Sequence, residues 1–330
     1  MNIAIIYHIA DYDGKLSNEV CRYWLTKLNP DAVVHSYGWD YGRPVVAPCN
    51  WPHLEHDIAP LDWKCYDLIY IVDLSVDALM EREDLKERIV WIDHHKSAIE
   101  KWDPQTDVRP AFRGYRIDGV AACRLCWQWF AIPTRGPGGE HPVPTKQDYI
   151  DRKVKEPELI RLAGEYDVWD QRDPDAKALQ FGLRSLNSDR WPLLLEEQFD
   201  GNGSANILND AVSEGYAIKT YCERQNDEYS AAYSHTLHWE GLRFCALNIG
   251  QRGNSDLVRG GLKPEHEAIF AWRFNGRDVL VSLYNIPTHT HLDLSTIAVK
   301  YGGGGHRGAC GFRLRLDVLA EIFNHQPKQS

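Results

Sequence analysis

The stretch Arg88-Ile-Val-Trp-Ile-Asp93-His94-His95 decides how the first half of the chain folds. Its apolar run is typical of a strand buried on both faces of a parallel sheet, and polar residues follow it directly. Two more apolar runs lead into polar residues in the same way, one into His8 and one into Asp73. The runs that we predict as strands are residues 2–7, 32–39, 67–72 and 88–92.

Amphipathic stretches lie between these strands. In residues 17–28 the apolar side chains recur with a period near 3.6, which predicts a helix packed on the sheet. These side chains are Val20, Tyr23, Trp24 and Leu28. Further helices are predicted at residues 76–87, 120–130 and 156–169. Strands that alternate with helices are typical of the α/β class, and here they predict a doubly wound parallel sheet.

The second half of the chain has a different pattern. Few β-branched runs occur between residues 187 and 240, and residues 211–234 are polar with helical character. Further strands are predicted at residues 243–249, 268–274, 279–284 and 309–316. The domain division that follows is a first domain at 1–186, a helical connector at 187–235 and a second domain at 236–330.

The composition is that of an ordinary globular protein. The chain has 330 residues, of which 43% are hydrophobic, and a formal net charge of −10. This acidic balance argues against binding to long duplex nucleic acid, which depends on many Lys and Arg contacts to phosphates. No run of about 18 apolar residues occurs, and the apolar opening is short, so we expect neither a membrane span nor a signal peptide. The eight cysteines are scattered, which is typical of reduced thiols, and we predict a cytoplasmic protein.

The polar residues after the strands have the chemistry of a metal site. His8 is followed by Asp11, Asp13 and Gly14. Because ligands of an open parallel sheet bind outside the carboxyl ends of its strands, we expect all these strand-end groups to line one crevice. We expect Asp11 and Asp13 to project the same way from an extended loop, with Gly14 allowing a sharp turn into the helix.

Several carboxylates that face one crevice repel one another unless cations neutralise them. Carboxylate and imidazole ligands without cysteine suit Mn²⁺ or a similar divalent ion, and there are enough of them for two ions. Two such ions, about 3.5 to 4 Å apart, clamp a phosphoryl group, generate a hydroxide and stabilise the leaving oxygen. The pattern therefore predicts hydrolysis of phosphoesters.

Five motifs, in order along the chain, resemble those of the DHH phosphoesterases with a DHH-associated C-terminal domain. They are His8-Ile-Ala-Asp11-Tyr-Asp13-Gly14, Val72-Asp73, Asp93-His94-His95, Gly164-Glu-Tyr-Asp167-Val-Trp169 and Gly302-Gly-Gly-Gly-His306-Arg-Gly-Ala-Cys-Gly311. The resemblance extends from Ile3 to about Leu316. It implies an N-terminal catalytic domain and a smaller C-terminal α/β domain with a mixed sheet, with the active site in the cleft between them.

The resemblance also implies roles for the residues of the first four motifs. The ligands of the two Mn²⁺ ions would be, for one, His8, Asp11 and Asp73 and, for the other, Asp13, Asp73, His94 and Asp167. Asp73 would therefore bridge both ions, for which Mg²⁺ and Co²⁺ are alternatives. His95 would face the scissile phosphate as a hydrogen-bond donor or acid, and Asp93 would orient the His94 ring. Asp167 is identified by the resemblance alone.

The glycine-rich motif also has a physical interpretation. Consecutive glycines allow backbone N–H groups to form an anion-binding nest, and the alternative is a flexible loop before the last strand. In the relatives this segment binds the terminal phosphate or base of the substrate. The substrate-binding residues predicted here are Gly303, Gly304, Gly305, His306 and Arg307. Arg184 is a further candidate from the first domain, with a surface or capping role as its alternative.

Two features depart from the family pattern. Only two residues separate His8 from Asp11, where many relatives have three. The family often has an arginine after a Ser-Leu pair in the strand before the glycine-rich motif, whereas here Tyr284 follows that pair. A tyrosine can stack on a base but cannot make a bidentate phosphate contact. The sequence leaves the consequence for substrate preference open.

The first hypothesis for function is a Mn²⁺-dependent phosphodiesterase that hydrolyses short single-stranded oligonucleotides from an end, as nanoRNases and RecJ-type exonucleases do. The alternative within enzymes is a phosphatase or phosphodiesterase for a small nucleotide, either 3′-phosphoadenosine 5′-phosphate or a cyclic dinucleotide. A catalytically silent nucleotide-binding protein is the alternative of another class, but all six metal positions are intact. The sequence does not determine the oligomeric state, and a homodimer is one candidate.

Overall fold

The computed structural model describes residues 1–40, 62–103, 112–131, 144–170, 172–201, 206–250 and 255–324. The chain forms two compact units, Met1–Tyr216 and Ala217–Ser330. The three-part division predicted from the sequence stays a prediction. Within the described residues, no helix combines the length and the apolar character needed to cross a bilayer.

The first unit is built on a four-stranded parallel sheet. Its strands are β1 (Asn2–His8), β2 (Val33–Trp39), β3 (Leu68–Val72) and β4 (Ile89–Ile92). Their order in the sheet is β2-β1-β3-β4, and every neighbouring pair is parallel. All four predicted strands are therefore confirmed, and their carboxyl ends lie along one edge of the sheet.

Helices cover both faces of this sheet. They are α1 (Tyr12–Leu28), α2 (Asp77–Met80), α3 (Lys96–Trp102), α4 (Ala122–Ala131), α5 (Lys146–Ile150), α6 (Glu158–Asp167), α7 (Pro174–Ser185), α8 (Arg190–Asp200) and α9 (Ile207–Tyr233), which ends in the second unit. Ile3 and Ile5 pack into the core on one face, and Ala4 and Ile6 pack into the core on the other. This alternation follows from the two-residue period of a strand, and it confirms the doubly wound sheet.

The helix predicted at residues 76–87 is wrong in extent. The structure has only the four-residue α2 here, followed by a short 3₁₀ helix at Lys86–Arg88. Residues 81–84 are all charged, so a longer helix would have no apolar side to bury over this turn. Instead the guanidinium of Arg82 donates to both carboxylate oxygens of Asp84, at 3.1 and 2.8 Å.

The second unit contains a six-stranded mixed sheet, as expected. Its strands are β5 (His235–Trp239), β6 (Leu242–Asn248), β7 (Ala268–Phe274), β8 (Val279–Asn285), β9 (Gly304–His306) and β10 (Ala309–Leu314). Their order is β5-β6-β7-β8-β10-β9, and only β6 and β7 pair in parallel. Its helices are α10 (Ser295–Lys300) and α11 (Leu316–Asn324). The two strands that the sequence did not predict, β5 and β9, are the two edges of the sheet.

Candidate metal centre

Three polar residues meet where β1 and β3 end. His8 is the last residue of β1, and its Nδ1 lies 2.9 Å from Oδ2 of Asp11 and 3.4 Å from Oδ2 of Asp73. Asp11 is the N-cap of α1, and its Oδ1 accepts a hydrogen bond from the Gly14 amide at 3.0 Å. The ligand atoms of these three side chains lie within 4.8 Å of one another. They form the first ligand group of the site.

A second ligand group consists of Asp13, His94 and Asp167. His94 follows β4, and Asp167 is the last residue of α6. Nε2 of His94 lies 3.5 Å from Oδ2 of Asp13 and 3.3 Å from Oδ2 of Asp167. The structure therefore brings together the six positions that the resemblance implied, in two groups that correspond to the implied sets, with Asp73 in the first group. Their role as metal ligands stays a prediction.

Asp73 joins the two groups. Its Oδ2 faces His8, and its Oδ1 lies 3.3 Å from Nε2 of His94. The Oδ1 atom is buried and accepts no hydrogen bond from the described residues. Asp73 also has a φ of +62°, a left-handed conformation that aspartate tolerates better than most residues, and its amide donates to the Ile92 carbonyl at 2.9 Å. A buried, strained carboxylate with a free oxygen is a site where a ligand is expected.

The expected geometry of Asp11 and Asp13 is wrong in detail. They do not project the same way from an extended loop, because α1 begins at Tyr12 and Asp13 lies in its first turn. The carboxylate of Asp13 accepts hydrogen bonds from the amides of Ala122 and Cys123, at 2.8 and 2.7 Å, at the N-terminus of α4. A helix N-terminus presents free N–H groups and a partial positive charge, so it holds this carboxylate in the second ligand group.

Gly14 does not make the sharp turn that we expected. It lies inside the first turn of α1, and a Cβ there would be 2.0 Å from the carbonyl oxygen of His8. Glycine is needed because the helix passes so close to the end of β1. This contact fixes the distance between His8 and the two aspartates that precede Gly14.

The expected partner of Asp93 is also wrong. Its carboxylate contacts the ring of His95, with 2.7 Å between Oδ1 and Nδ1, and it contacts His94 only through the backbone amide, at 2.7 Å. An ionised carboxylate only accepts hydrogen bonds, so Nδ1 of His95 carries the proton that it donates to Asp93. Nε2 or Nδ1 of His95 also lies within 4.8 Å of the ligand atoms of Asp73 and His94. His95 therefore belongs to the centre, oriented by Asp93.

Burial and mutual repulsion both act on the pKa values of the carboxylates. Burial, followed by the charge of Asp13, raises the pKa of Asp73 and of Asp167 well above the usual range. Burial lowers the pKa of His8, but hydrogen bonds and charges from Asp11 and Asp73 outweigh it and raise the pKa to about 11. The centre thus favours positive charge at both of its ends.

The residues present fit a pair of divalent cations. The two groups supply four carboxylates and two imidazoles, and no thiol belongs to either group. Within each group the ligand atoms lie within 4.8 Å of one another. Two divalent ions would balance the four carboxylate charges, and the free oxygen of Asp73 would gain a partner. Oxygen and imidazole ligands suit Mn²⁺, Mg²⁺ or Co²⁺ rather than a metal that selects sulfur.

Sequence reasoning missed Asp40. It follows the end of β2, and its Oδ1 lies 3.6 Å from Nε2 of His8. The signal was present, because a polar residue after a parallel strand is the pattern that identified the other ligands.

Arg184 lies on α7, outside both ligand groups. Its guanidinium stacks on the Phe181 ring at 5.3 Å, and its side chain is exposed. Burial raises the pKa of Tyr12, and the charge of Arg184 opposes that effect. Arg184 is therefore near the Asp11-Tyr12-Asp13 segment.

The glycine-rich segment is not a loop-shaped nest. The amides of Gly302 and Gly303 donate to the carbonyls of Val299 and Ala298, so they cap α10. Gly304 and Gly305 pair with β10, as does His306. Consecutive glycines are used here for a helix end and for close strand contact, because a Cβ on Gly303 would be 2.1 Å from the Gly311 carbonyl oxygen.

The second unit places Tyr284 and His306 in one row across neighbouring strands. Ala309 of β10 pairs with Tyr284 on one side and with His306 on the other, so these three residues form one cross-strand row. Arg307 is exposed, and its guanidinium donates to the carbonyl of His291 at 2.5 Å. Whether these residues bind substrate stays a prediction.

Comparison with known proteins gives matches at the level of structure. No family model matches the chain, and no curated protein matches it either. The DHH domain of a member of the s1p family of ribosomal proteins is similar over 98% of this chain and 85% of its own, with 14% sequence identity and a TM-score of 0.53.

Two further solved structures cover nearly the whole chain. An exopolyphosphatase-related protein from Bacteroides fragilis matches 98% of this chain and 90% of its own, with 13% identity and a TM-score of 0.49. A pGpG-specific phosphodiesterase from Vibrio cholerae matches 98% and 97%, with 13% identity and a TM-score of 0.46. With its four-stranded parallel sheet followed by a mixed six-stranded sheet, the chain has the fold of the DHH-domain proteins.

Proposed function

We propose that the protein is a two-metal phosphodiesterase, active with Mn²⁺, that hydrolyses short single-stranded oligonucleotides. The observation that carries this proposal is the position of Asp73. Its two carboxylate oxygens face His8 and His94 at 3.4 and 3.3 Å, so one buried side chain serves both ligand groups. A bridging carboxylate of this kind is what holds two divalent ions close together.

The residues that would hold the ions are those of the two ligand groups, with Asp73 shared. When bound, the ions would polarise the phosphoryl oxygens and lower the pKa of a bound water so that it can attack phosphorus. The protein supplies the ligand geometry. Asp11 is fixed by capping α1 and Asp13 by the N-terminus of α4, so both carboxylates are positioned before any ion binds.

The open side of the centre gives the direction of substrate approach. The side chains of Asp13 and Asp73 are 0% and 2% exposed, whereas those of Asp11, His95 and Asp167 are 40%, 26% and 25% exposed. A phosphate therefore reaches the centre from the side of these three residues. His95 is the group on this side that can donate a proton.

His95 is suited to act as a general acid. Burial lowers its pKa, but the hydrogen bond to Asp93 and the charge of Asp93 outweigh burial and raise it above the usual value. This upward shift of the pKa favours the imidazolium form, in which Nδ1 donates to Asp93 and Nε2 carries the second proton. We assign His95 the proton that the leaving oxygen takes when the phosphoester bond breaks.

The proposed substrate class follows from charge and size. The chain carries a net charge of −10, which disfavours long nucleic acid held by bulk electrostatics. Short oligonucleotides need only the metal centre and a few further contacts. For one of those contacts we propose Arg184, whose charge acts on Tyr12 beside the first ligand group.

Hydrolysis assays test the proposal. The full chain is incubated with RNA and DNA oligonucleotides from dinucleotides upward, with 3′-phosphoadenosine 5′-phosphate and with cyclic dinucleotides, and initial rates are compared. We expect rates that fall with oligonucleotide length, require Mn²⁺ and vanish in excess chelator. The Asp73→Asn variant is the matched inactive control. Full activity in excess chelator, or cleavage of none of these phosphoesters with Mn²⁺ present, would contradict the proposal.

A further inference from the structure

Trp169 has an unusual backbone conformation at the end of α6. Its φ is +60°, its amide donates to the Tyr166 carbonyl at 3.0 Å, and the next amide, of Asp170, donates to the Glu165 carbonyl at 2.7 Å. This is the hydrogen-bond pattern of a Schellman motif, in which the left-handed position is usually glycine. A bulky side chain at positive φ is strained, so the fold alone gives no reason for tryptophan here.

The side chain of Trp169 is not used for packing. It is 53% exposed, among the most exposed of the large hydrophobic side chains of the described residues. Its ring contacts the Tyr166 ring at a centroid distance of 6.0 Å. Tryptophan at this position therefore has two unfavourable features, a strained backbone and an indole ring that remains in water.

Trp169 is close in the chain to a residue of the candidate metal centre. It comes two residues after Asp167, whose carboxylate is 3.3 Å from Nε2 of His94. Asp167 is one of the three residues of the centre that a substrate can reach, because its side chain is one-quarter exposed. A phosphate at the centre would thus have the rest of its molecule near the turn that carries Trp169.

We propose that Trp169 is a stacking surface for a nucleobase next to the phosphate bound at the metal centre. The inference rests on the proposed phosphoesterase function and narrows its substrate class to nucleotides. A base offers a flat π-face that an exposed indole can cover, and stacking is tolerant of base identity. Polyphosphate has no such face, so Trp169 would not contribute to its binding.

Binding of adenosine 5′-monophosphate tests the proposal, with ribose 5-phosphate as the matched ligand that lacks the base. Dissociation constants are measured by calorimetry on the full chain with Mn²⁺ present. For Trp169→Gly we expect binding of adenosine 5′-monophosphate to weaken about tenfold, since base stacking has that magnitude, while binding of ribose 5-phosphate is unchanged. Trp169→Phe should keep most of the affinity because it keeps a ring.

Stability provides the second measurement. Glycine adopts the left-handed conformation without strain, so Trp169→Gly should unfold at a urea concentration equal to or higher than the wild type. Trp169→Asn, which also tolerates this conformation, serves as an alternative variant without an aromatic ring. Tyr221→Ala removes an aromatic side chain that is 58% exposed on α9 and should change neither measurement.

If Trp169→Gly binds adenosine 5′-monophosphate more weakly while its stability is unchanged or higher, Trp169 has a binding role and not a structural one. Unchanged affinity for adenosine 5′-monophosphate, an equal loss for both ligands, or no binding by the wild type would overturn the proposal. A change of oligomeric state in Trp169→Gly would also overturn it and would assign the ring to contact with a second copy. These outcomes are independent of turnover, so the proposed hydrolysis can fail or hold separately.

Discussion

Replacing Gly14 by alanine perturbs the centre without removing any ligand. Gly14 lies between α1 and the end of β1, and an added Cβ would be 2.0 Å from the His8 carbonyl oxygen and 2.7 Å from the His8 Cβ. Backbone atoms cannot rotate away as a flexible side chain can. The helix and the strand must therefore separate for alanine to fit.

The size of the separation follows from these distances. Ordinary contact begins at 3.4 Å, so the Cβ and the oxygen must move apart by about 1.4 Å. Metal sites tolerate only about 0.2 Å of error in ligand distance. We therefore expect Gly14→Ala to weaken Mn²⁺ binding at least about tenfold, which is about 1.4 kcal/mol.

Stability should also fall, despite the better helix propensity of alanine. In an open helix interior, glycine to alanine gains about 1 kcal/mol. Overpacking against a fixed backbone costs about 1 to 3 kcal/mol, and here the overlap is large. The overpacking effect should dominate, so we expect a net loss of about 1 kcal/mol in the free energy of unfolding.

Mn²⁺ titration by calorimetry and urea unfolding check these expectations. Gly250→Ala is the control, because nothing lies within 4 Å of a Cβ at that position. If Gly14→Ala bound Mn²⁺ as tightly as the wild type and unfolded at the same urea concentration, the close approach of α1 and β1 would not control the ligand geometry, and our interpretation of Gly14 would be refuted.

Three further predictions concern single residues. Asp73→Asn keeps a side chain that tolerates positive φ but removes the bridging charge. Calorimetry should therefore show weaker binding of both Mn²⁺ ions, with little loss of stability. Loss of one ion only would show that Asp73 does not bridge. Asp93→Asn should move the alkaline limb of the pH profile of kcat to lower pH, because the charge of Asp93 raises the pKa of His95. An unchanged pH profile would show that His95 is not the general acid. His266 accepts from the Lys263 amide at Nδ1 and contacts Thr236 through Nε2, and burial lowers its pKa, so the neutral form stabilises the second unit. The contribution of neutral His266 to stability is full above the ordinary pKa of 6.5 and is lost as the pH falls below that value. Below pH 6.5, the urea unfolding of His266→Gln should therefore depend less on pH than that of the wild type. Equal pH dependence of the two proteins would contradict this role of His266.

The sequence predicted the first sheet and the convergence of its strand-end residues because both depend on simple periodic patterns. The apolar runs of β1, β3 and β4 are buried on both faces, which leaves little ambiguity about the strands. Parallel strands then bring the residues at their ends to one edge, so His8, Asp73 and His94 could be placed together before the structure was known.

The finer geometry could not be predicted because it depends on contacts between distant segments. Asp13 is held by amides 109 and 110 residues away, at the start of α4, and nothing in the sequence near Asp13 indicates that helix. Whether the carboxylate of Asp93 contacts the ring of His94 or that of His95 likewise depends on side-chain rotamers. A glycine is required at position 14, as predicted, but the reason is the close packing of α1 against β1 and not a turn.

The glycine-rich segment was misread because its pairing partner is what determines its structure. Three residues with two glycines have no strand propensity of their own, yet β10 offers an edge and β9 forms on it. The amides preceding β9 are used to end α10. The predicted nest rested on the conformational freedom of glycine alone, whereas the contacts with α10 and β10 determine the conformation of this segment.

Anomalous X-ray scattering at the manganese edge, from crystals of the full chain soaked in Mn²⁺, tests the central claim most directly. The claim is that Asp73 bridges two ions held by the two ligand groups. We predict two peaks about 3.5 to 4 Å apart, one between His8 and Asp11 and the other among Asp13, His94 and Asp167, with one oxygen or both oxygens of Asp73 in contact with each ion. A single peak, or peaks that do not include Asp73 among their ligands, would contradict the two-metal account.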